Sequence, residues 1–450
     1  MTPRELRASV SLASIFALRM LGLFLILPVF AVHVRSLPGG QDGALVGFAM
    51  GVYGLTQGLL QIPFGIASDR FGRQRVMLIG LALFALGSTT AALADSMLGI
   101  TIGRALQGAG AISAAVTAAI ADATRDSQRT KAMAMMGGSI GATFALSLVA
   151  SPLLYSAFGL SGLFWLTAIL AFVGMGIVWR VVPFGSPAEV GLAAATPSVA
   201  PPRGSAEQAP QHPPEQAPRQ AVERAPGQAP EQVPVHWRTV VFEPDLLRLN
   251  AGVFVLHIVQ MATFVVVPRW LIERAGLAIG EHWKLYLPVV LVSFVAMMRP
   301  LFRAERKGYL RPVFLAAIAL LLGVEIAFAF EPHGLPAMAL LLLFFFIGFN
   351  VLETCLPSLA SRLAPAHSKG LALGVYNTTQ ALGLFAGGAL GGAVYARWGG
   401  AAVFISMASL TACWLPLAFG AKRWPGRSGT ALGAPVGGTA LGPASNGSAA

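Results

Sequence analysis

Apolar residues run in long blocks between residues 10 and 421, broken by short polar turns. A helix that crosses a bilayer needs about 20 mostly apolar residues. Twelve stretches reach that length, at 10–34, 45–67, 76–94, 98–121, 132–155, 160–182, 246–272, 282–302, 312–330, 337–363, 371–395 and 401–421. Each predicts a spanning helix. Arg4 and Arg7 precede the first stretch, as in a secretion signal. That stretch is too long for a signal's apolar core and has no small-residue cleavage site, so a retained helix is expected.

The pattern is interrupted once, after the sixth stretch. Ten prolines lie between 197 and 234, and Glu-x-Ala/Val-Pro recurs every eight residues, from Glu207, Glu215, Glu223 and Glu231. Proline at that density predicts an extended tether rather than a packed element. The organisation expected is a six-helix bundle over 1–182, a Pro-rich cytoplasmic linker over 183–245, a second six-helix bundle over 246–421, and a disordered cytoplasmic tail over 422–450. The fold class is an all-α membrane protein of twelve transmembrane helices in two six-helix bundles.

Composition agrees. Hydrophobic residues make up 55% of the chain and charged residues 11%, with a mean hydropathy of +0.69. An ordinary soluble domain carries about 25% charged residues. A soluble enzyme, a secreted disulfide scaffold and a nucleic-acid reader are thereby excluded. Cys355 and Cys413 both lie in apolar runs and predict neither a disulfide framework nor a metal site.

The net charge of +12 is informative through its distribution. With the four in the linker and the interior Arg19, Arg104 and Arg299 set aside, 19 of the Lys and Arg fall on the side of the N-terminus. Five, Arg35, Arg269, Arg274, Lys284 and Arg397, fall on the other. The basic side faces the cytoplasm in membrane proteins, so both termini are expected inside a bacterial inner membrane. Trp165, Trp270, Trp283 and Trp398 are then expected in the aromatic belt of the outer interface, with Trp179 and Trp424 at the inner one.

The two halves repeat a short pattern. Tyr155-Ser-Ala-Phe158-Gly159 leads to Phe164, and Tyr395-Ala-Arg-Trp398-Gly399 leads to Phe404. Both join the fifth and sixth spans of their half. Duplication of this kind is a common plan among transporters, with the substrate between the halves.

The turn after the second span reads Gly65-Ile-Ala-Ser-Asp69-Arg70-Phe-Gly72-Arg73-Gln-Arg75. Gly72 permits a tight turn, and three arginines hold the loop on the cytoplasmic side. Span four carries Arg104-Ala-Leu-Gln107-Gly108-Ala-Gly110, and Asp122 closes that span. Span five carries Gly138, Ser147, Ser151 and Pro152. These segments resemble motifs A, B and C of the major facilitator superfamily, in its twelve-span drug:proton antiporter branch. Gln74 stands where motif A has lysine, and Ser147 and Ser151 stand where motif C has glycine. Further likeness, at Arg19-Met-Leu-Gly, Tyr53-Gly-Leu-Thr-Gln57, Gln61-Ile-Pro-Phe-Gly65 and Gly374-Val-Tyr376, extends over nearly all of 1–421. The resemblance implies the major facilitator fold. It also implies a conformational relay of Gly65, Asp69, Arg70, Gly72, Arg73 and Asp122 that stabilises the outward-open state beside span eleven. The relatives that share these runs end in a soluble domain where this chain has its low-complexity tail, so regulation through that domain is expected to be absent.

A charge at the bilayer centre costs at least about 2.5–3.5 kcal/mol on insertion scales, so interior ionisable residues need a partner, water or a function. Arg19, Arg104, Arg299, His257, Glu325 and Glu353 are the candidates. Arg104 and Gln107 share a helical face and line a cavity or pair structurally with a backbone carbonyl. Asn350, Glu353, Thr354 and Pro357 share a face of span ten, and a desolvated carboxyl there exchanges a proton near neutral pH. The rival for Glu353 is a neutral or Arg-paired structural group. Glu325 reads better as structural. His257, Gln260 and Thr263 share a face of span seven. Tyr53, Gln57 and Gln61 stripe span two, and Tyr376, Asn377 and Gln380 cluster on span eleven. Such polar groups suit an amphipathic ligand or bond helix to helix. Arg19, Tyr53, Gln57, His257, Gln260, Asn350, Glu353, Asn377 and Gln380 are thus the proton and substrate candidates.

No acidic residue lies inside spans one to six, and Arg19 occupies span one. An interior arginine suits an anionic substrate, so an uptake symporter or an exporter of an anionic metabolite stands as the alternative to drug efflux. Gly137-Gly-Ser139-Ile-Gly141 matches a nucleophile elbow, with His257 as a distant base. The strand context is missing and the glycines read as a Gly-x-x-x-Gly helix contact, so an intramembrane serine hydrolase is remote. A non-transporting sensor is a further alternative. No P-loop lysine is present, so no cofactor is expected and the proton gradient supplies the energy. The expected partners are the lipid bilayer, protons and a small-molecule substrate, with no nucleic acid and a monomeric state.

Overall fold

The computed structural model describes residues 1–181, 241–365, 369–421 and 424. Nearly all of the linker and tail assigned from sequence therefore lie outside the described residues. Ten apolar helical stretches are long enough to cross a membrane. Two of them, Asp126–Val181 and Lys369–Phe419, are double-length and break at Gly159 (φ 65°) and Gly399 (φ 78°). That backbone region is open almost only to glycine. The same bend falls at the same place in the repeated Tyr-x-x-aromatic-Gly pattern, so the described residues make twelve spans in two six-helix bundles.

Spans 2 and 3 are Gly43–Phe71 and Arg73–Ala92, and spans 5 and 6 are the two arms of Asp126–Val181. Spans 7 to 10 are Pro244–Glu273, Trp283–Lys307, Leu310–Ala329 and Leu335–Leu363, and spans 11 and 12 are the two arms of Lys369–Phe419. Most helices run a few residues past the apolar stretches predicted for them, because polar caps and charged turns extend the backbone ladder. Thr2 and Glu5, for example, form a reciprocal capping box at the start of span 1.

Spans 1 and 4 are each broken rather than continuous. Span 1 consists of Pro3–Phe24 and Leu27–His33. Pro28 lacks an N–H, which loosens the ladder there. Val29 N–H bonds Ile26 rather than Leu25, and the Leu25 carbonyl so left accepts a hydrogen bond from Ser151 of span 5 at 2.5 Å. Span 4 consists of Met97–Ala109 and Ser113–Ala123, parted around Gly110.

Odd spans run away from the face that carries the N-terminus, and even spans return to it. The halves meet most tightly toward the face opposite the termini. There span 11 is glycine-rich on two sides. A Cβ built on Gly383 or Gly387 would sit 2.6 or 2.4 Å from the carbonyls of Phe254 and Ile258 in span 7. A Cβ on Gly47, Gly51 or Gly54 of span 2 would sit 2.2, 2.6 or 2.3 Å from the carbonyls of Gly388, Phe385 and Ala381 in span 11. Small residues let helix backbones touch in this way. Arg35 and Glu273 pair across the halves at 3.2 Å on the same face.

Toward the face of the termini the picture reverses. A Cβ on Gly137, Gly138, Gly141, Gly370 or Gly374 would meet open space. The halves are therefore closed on one face and parted on the other. The Gly-x-x-x-Gly contact expected from Gly137 and Gly141 is absent, since a Cβ on either meets no neighbour within 4 Å.

Trp270 also departs from expectation. It is buried rather than placed in an interface belt, with Phe404 at 5.4 Å, Phe328 at 6.5 Å and the Arg274 guanidinium 4.3 Å over its ring. Gly400 leaves the space that its indole fills. Trp165, Trp179 and Trp398 are exposed.

If the span 2–span 11 contact closes one face, Gly47→Val should keep that face open. A membrane-impermeant thiol reagent should then reach a cysteine at Val46, a position buried on the same part of span 2 in the parent. The overpacking should cost about 1–3 kcal/mol in thermal unfolding.

Candidate functional site

The polar residues singled out from sequence collect in three places. The first is the N-terminal bundle. Arg19 and Arg104 are almost wholly buried. Arg19 donates to Gln57 Oε1 at 3.2 Å and to Ser113 Oγ at 3.3 Å. Arg104 donates to the Met50 carbonyl at 3.2 Å and to Gln107 Oε1 at 3.3 Å. Gln107 in turn donates to Ser88 Oγ at 2.8 Å. The carbonyl that Arg104 meets belongs to span 2. Tyr53 serves both guanidiniums, with its ring centroid 5.5 Å from Arg19 and 5.2 Å from Arg104. These bonds lace spans 1 to 4 together, and among the described residues neither arginine has a carboxylate partner. Cation–π contact carries part of the compensation. Gln61 is buried with neither amide atom bonded.

The second place is the turn after span 2, where Gly72 adopts φ 92°. That conformation suits glycine and lets span 3 start at once. Arg73 donates to Asp69, to Ser68 Oγ at 2.7 Å and to Asp122 at 3.0 Å. Spans 2 and 4 are thereby linked at the face of the termini. Asp69 and Asp122 are more than half exposed, so each bond contributes little to stability by itself. Gly65 lies 3.4 Å from Ala114 by its built Cβ. Arg70 is exposed on the surface.

The third place is the C-terminal bundle. His257 of span 7, Glu353 of span 10 and Gln380 of span 11 meet near the middle of their helices. Gln380 Nε2 lies 2.7 Å from His257 Nε2 and 3.3 Å from Glu353 Oε1. Glu353 Oε2 lies 3.5 Å from His257 Nε2. His257 Nδ1 lies 2.9 Å from the Val253 carbonyl. The Glu353 side chain is 20% exposed and that of His257 4%. Among the described residues His257 is the one basic side chain that reaches this carboxylate.

One layer further from the termini, Phe144 of span 5 stands between the halves. Its ring meets Phe264 and Phe346 at 6.1 Å and Phe349 at 5.7 Å, with Phe24 on its own side at 5.0 Å. This aromatic plug was not singled out from sequence, where phenylalanines in apolar spans carry no mark.

The other candidates are placed more simply. Asn350 donates to Ser293 of span 8 at 3.1 Å. Gln260 is buried with its Oε1 unbonded, and Asn377 is half-buried. Glu325 accepts from Thr411 of span 12 at 3.1 Å, away from the other carboxyl. Arg299 lies exposed on span 8. Of the motif C-like residues, Ser147 bonds the Phe144 carbonyl at 2.7 Å and Ser151 bonds Leu25, while Pro152 sits inside the helix and Gly138 is open. Gly108 packs on the Tyr53 carbonyl, 2.1 Å from its built Cβ.

Ser139 has no imidazole beside it. Its hydroxyl donates to the Met136 carbonyl at 2.7 Å within its own helix, and the bonds of His257 go to Val253 and Gln380. An arrangement of nucleophile and base is not formed.

The model of the Major Facilitator Superfamily matches residues 12–388. The inner membrane transport protein YajR of Escherichia coli is 40% identical over 425 residues, covering 94% of this chain and 85% of the relative. The multidrug resistance protein MdtH of Proteus mirabilis is 26% identical over 382 residues, covering 83% and 82%. The crystal structure of the human organic anion transporter MFSD10 has the same fold, with a TM-score of 0.64 at 18% identity over 93% of this chain and 100% of that one.

Ser139→Ala should leave activity unchanged and unfolding within about 0.5 kcal/mol of the parent. Thermal denaturation beside a transport assay checks both.

Proposed function

The chain belongs to the Major Facilitator Superfamily and is a membrane transporter rather than an enzyme, and from that premise we propose that it exports small amphipathic molecules in exchange for protons. The observation that carries this reading is the Glu353–His257 couple, 3.5 Å apart on two spans of one half. A carboxyl and an imidazole at that separation hold one proton between them without leaving a bare charge in the apolar interior. A carrier that must shed charge before crossing a low-dielectric barrier needs such a group. The twofold bundle supplies the rest. The halves rock, the couple meets water from one face and then the other, and the gradient sets the direction.

Several features support the assignment. The distribution of Lys and Arg orients the termini toward the cytoplasm of a bacterial inner membrane. The described arrangement is then open inward and sealed outward by the seam of spans 2 and 11. The aromatic plug around Phe144 and the neutral polar stripe on spans 7 and 11 provide an apolar surface with few polar anchors, which suits an amphipathic solute. Likeness to a multidrug resistance protein favours efflux over uptake. The relay at Arg73 is formed in this inward-open arrangement, so it links spans 2 and 4 here and is not confined to the outward-open state that the resemblance implied. The chain works as a monomer, with the proton gradient as its energy source and no cofactor.

A second reading rests on the two arginines. Arg19 and Arg104 are buried without a carboxylate partner among the described residues, and an anionic metabolite would supply the missing charge.

Purified protein in liposomes with an imposed pH gradient separates these readings when lipophilic cations, neutral antibiotics and anionic metabolites are screened. Gradient-driven movement of a cationic dye is expected. Glu353→Gln should reduce it to the rate of protein-free vesicles while leaving dye binding measurable. Full gradient-driven transport by Glu353→Gln would defeat the proton-site assignment, and movement of anions alone would select the second reading.

A further inference from the structure

Gln380 stands where the carboxyl–imidazole couple meets the helix that seals the far face. His257 Nδ1 faces the Val253 carbonyl at 2.9 Å, and a carbonyl only accepts. Nδ1 therefore carries the hydrogen of the neutral ring, and Nε2 offers a single lone pair. Two groups reach for it, Gln380 Nε2 at 2.7 Å and Glu353 Oε2 at 3.5 Å. The amide turns its NH2 end to this point, because its other neighbour, Glu353 Oε1 at 3.3 Å, is also an acceptor. In the arrangement seen, the amide takes the lone pair and Glu353 Oε2 makes no hydrogen bond.

A proton on the couple changes this count. On Glu353 Oε2 or on His257 Nε2, it makes a hydrogen bond along the line between those two atoms. That bond uses the one lone pair, so the Gln380 amide loses His257 and keeps only Glu353 Oε1. The proton and Gln380 thus compete for one position.

Gln380 is also bound to the seam through its own backbone. The carbonyl of its neighbour Ala381 lies 2.3 Å from a Cβ built on Gly54 of span 2, and Gly388 and Gly392 continue that contact. On the other side of the helix, a Cβ built on Gly383 would lie 3.1 Å from the Cβ of His257. Backbones in contact on both sides leave no flexible side chains to absorb a shift, so a change at Gln380 is carried by span 11 itself. Tyr376, one turn away on span 11, is a further titratable group near the couple. Its hydroxyl has no hydrogen-bond partner and lies within electrostatic reach of Glu353.

We propose that Gln380 is the positioning residue that passes the protonation state of the Glu353–His257 couple to the seam between spans 11 and 2. This rests on the proton-site reading above, and the test tells the two apart. Spin labels go at Gln41→Cys and Trp398→Cys, on the far face of opposite halves, in full-length protein in lipid nanodiscs with Cys355 and Cys413 replaced. Pulsed electron resonance follows the label distance against pH. Infrared difference spectra follow the carboxyl band that Glu353→Gln removes.

In the parent, the distance distribution should shift with pH at the midpoint of that band. Gln380→Met keeps the volume and removes the donor, and Gln380→Leu serves if the first variant folds poorly. In either, the band should still titrate while the distance shift is lost. A shift that persists without the amide, or a parent whose band titrates over an immobile seam, overturns the role of Gln380. Absence of a titrating Glu353 band overturns the proton site itself.

Discussion

The hydrocarbon interior of a bilayer offers no water to an unbonded polar group, and every other feature of this molecule follows from that constraint. The backbone meets it by forming helices throughout the spans. Side chains meet it by converging. Arg19 and Arg104 share a tyrosine ring and a set of amides and hydroxyls. Glu353 and His257 lie opposite each other with Gln380 between them. The two bundles solve the problem in different ways. The N-terminal one fixes permanent charges into a rigid lattice, and the C-terminal one pairs groups that can gain and lose a proton. On the proton-site reading, that asymmetry gives a braced half and a responsive half from one duplicated plan.

Span 11 connects these solutions. It carries the amide that meets His257 and Glu353, it packs glycine against the span 7 backbone, and it packs glycine against span 2 across the halves. The same absence of side chains that permits close approach makes the contact intolerant of small displacements. On the role proposed for Gln380, a helix so placed converts a local change in hydrogen bonding into the opening or closing of a seam. The aromatic layer around Phe144 joins span 5 to spans 7 and 10 on the far side of His257 and Glu353.

Much of this was legible in the sequence. Block length alone predicts twelve spans, and the repeated Tyr-x-x-aromatic-Gly pattern marks both bends that the structure places at Gly159 and Gly399. Single residues were legible as anomalies, because a Glu, His or Arg in an apolar run needs a reason. Their meeting was not. Gln380 lies more than a hundred residues from His257, and nothing in either span's pattern says that those faces oppose. The direction in which a charge turns was equally hidden. Sequence leaves Arg104 open between lining a cavity and bonding a backbone carbonyl and reads Arg19 as an anion anchor, yet both are taken up by bonds within spans 1 to 4. Glycine patterns were ambiguous for the same reason. Gly137 and Gly141 have the spacing of a helix contact and meet open space, whereas Gly47 and Gly388 touch a partner helix that sequence does not identify.

The central claim is that the Glu353–His257 couple reaches water from one face at a time, with the span 2–span 11 seam closing the other. A disulfide tests it, since a Cβ on Gly43 falls 3.3 Å from the Cβ of Ala396 across that seam. With Gly43→Cys and Ala396→Cys oxidised, a third cysteine at Glu353→Cys should react with an impermeant thiol reagent added to the cytoplasmic side. It should be silent to the same reagent added outside, until reduction frees the seam. Labelling from outside in the locked protein, or equal labelling from both sides, would contradict the account.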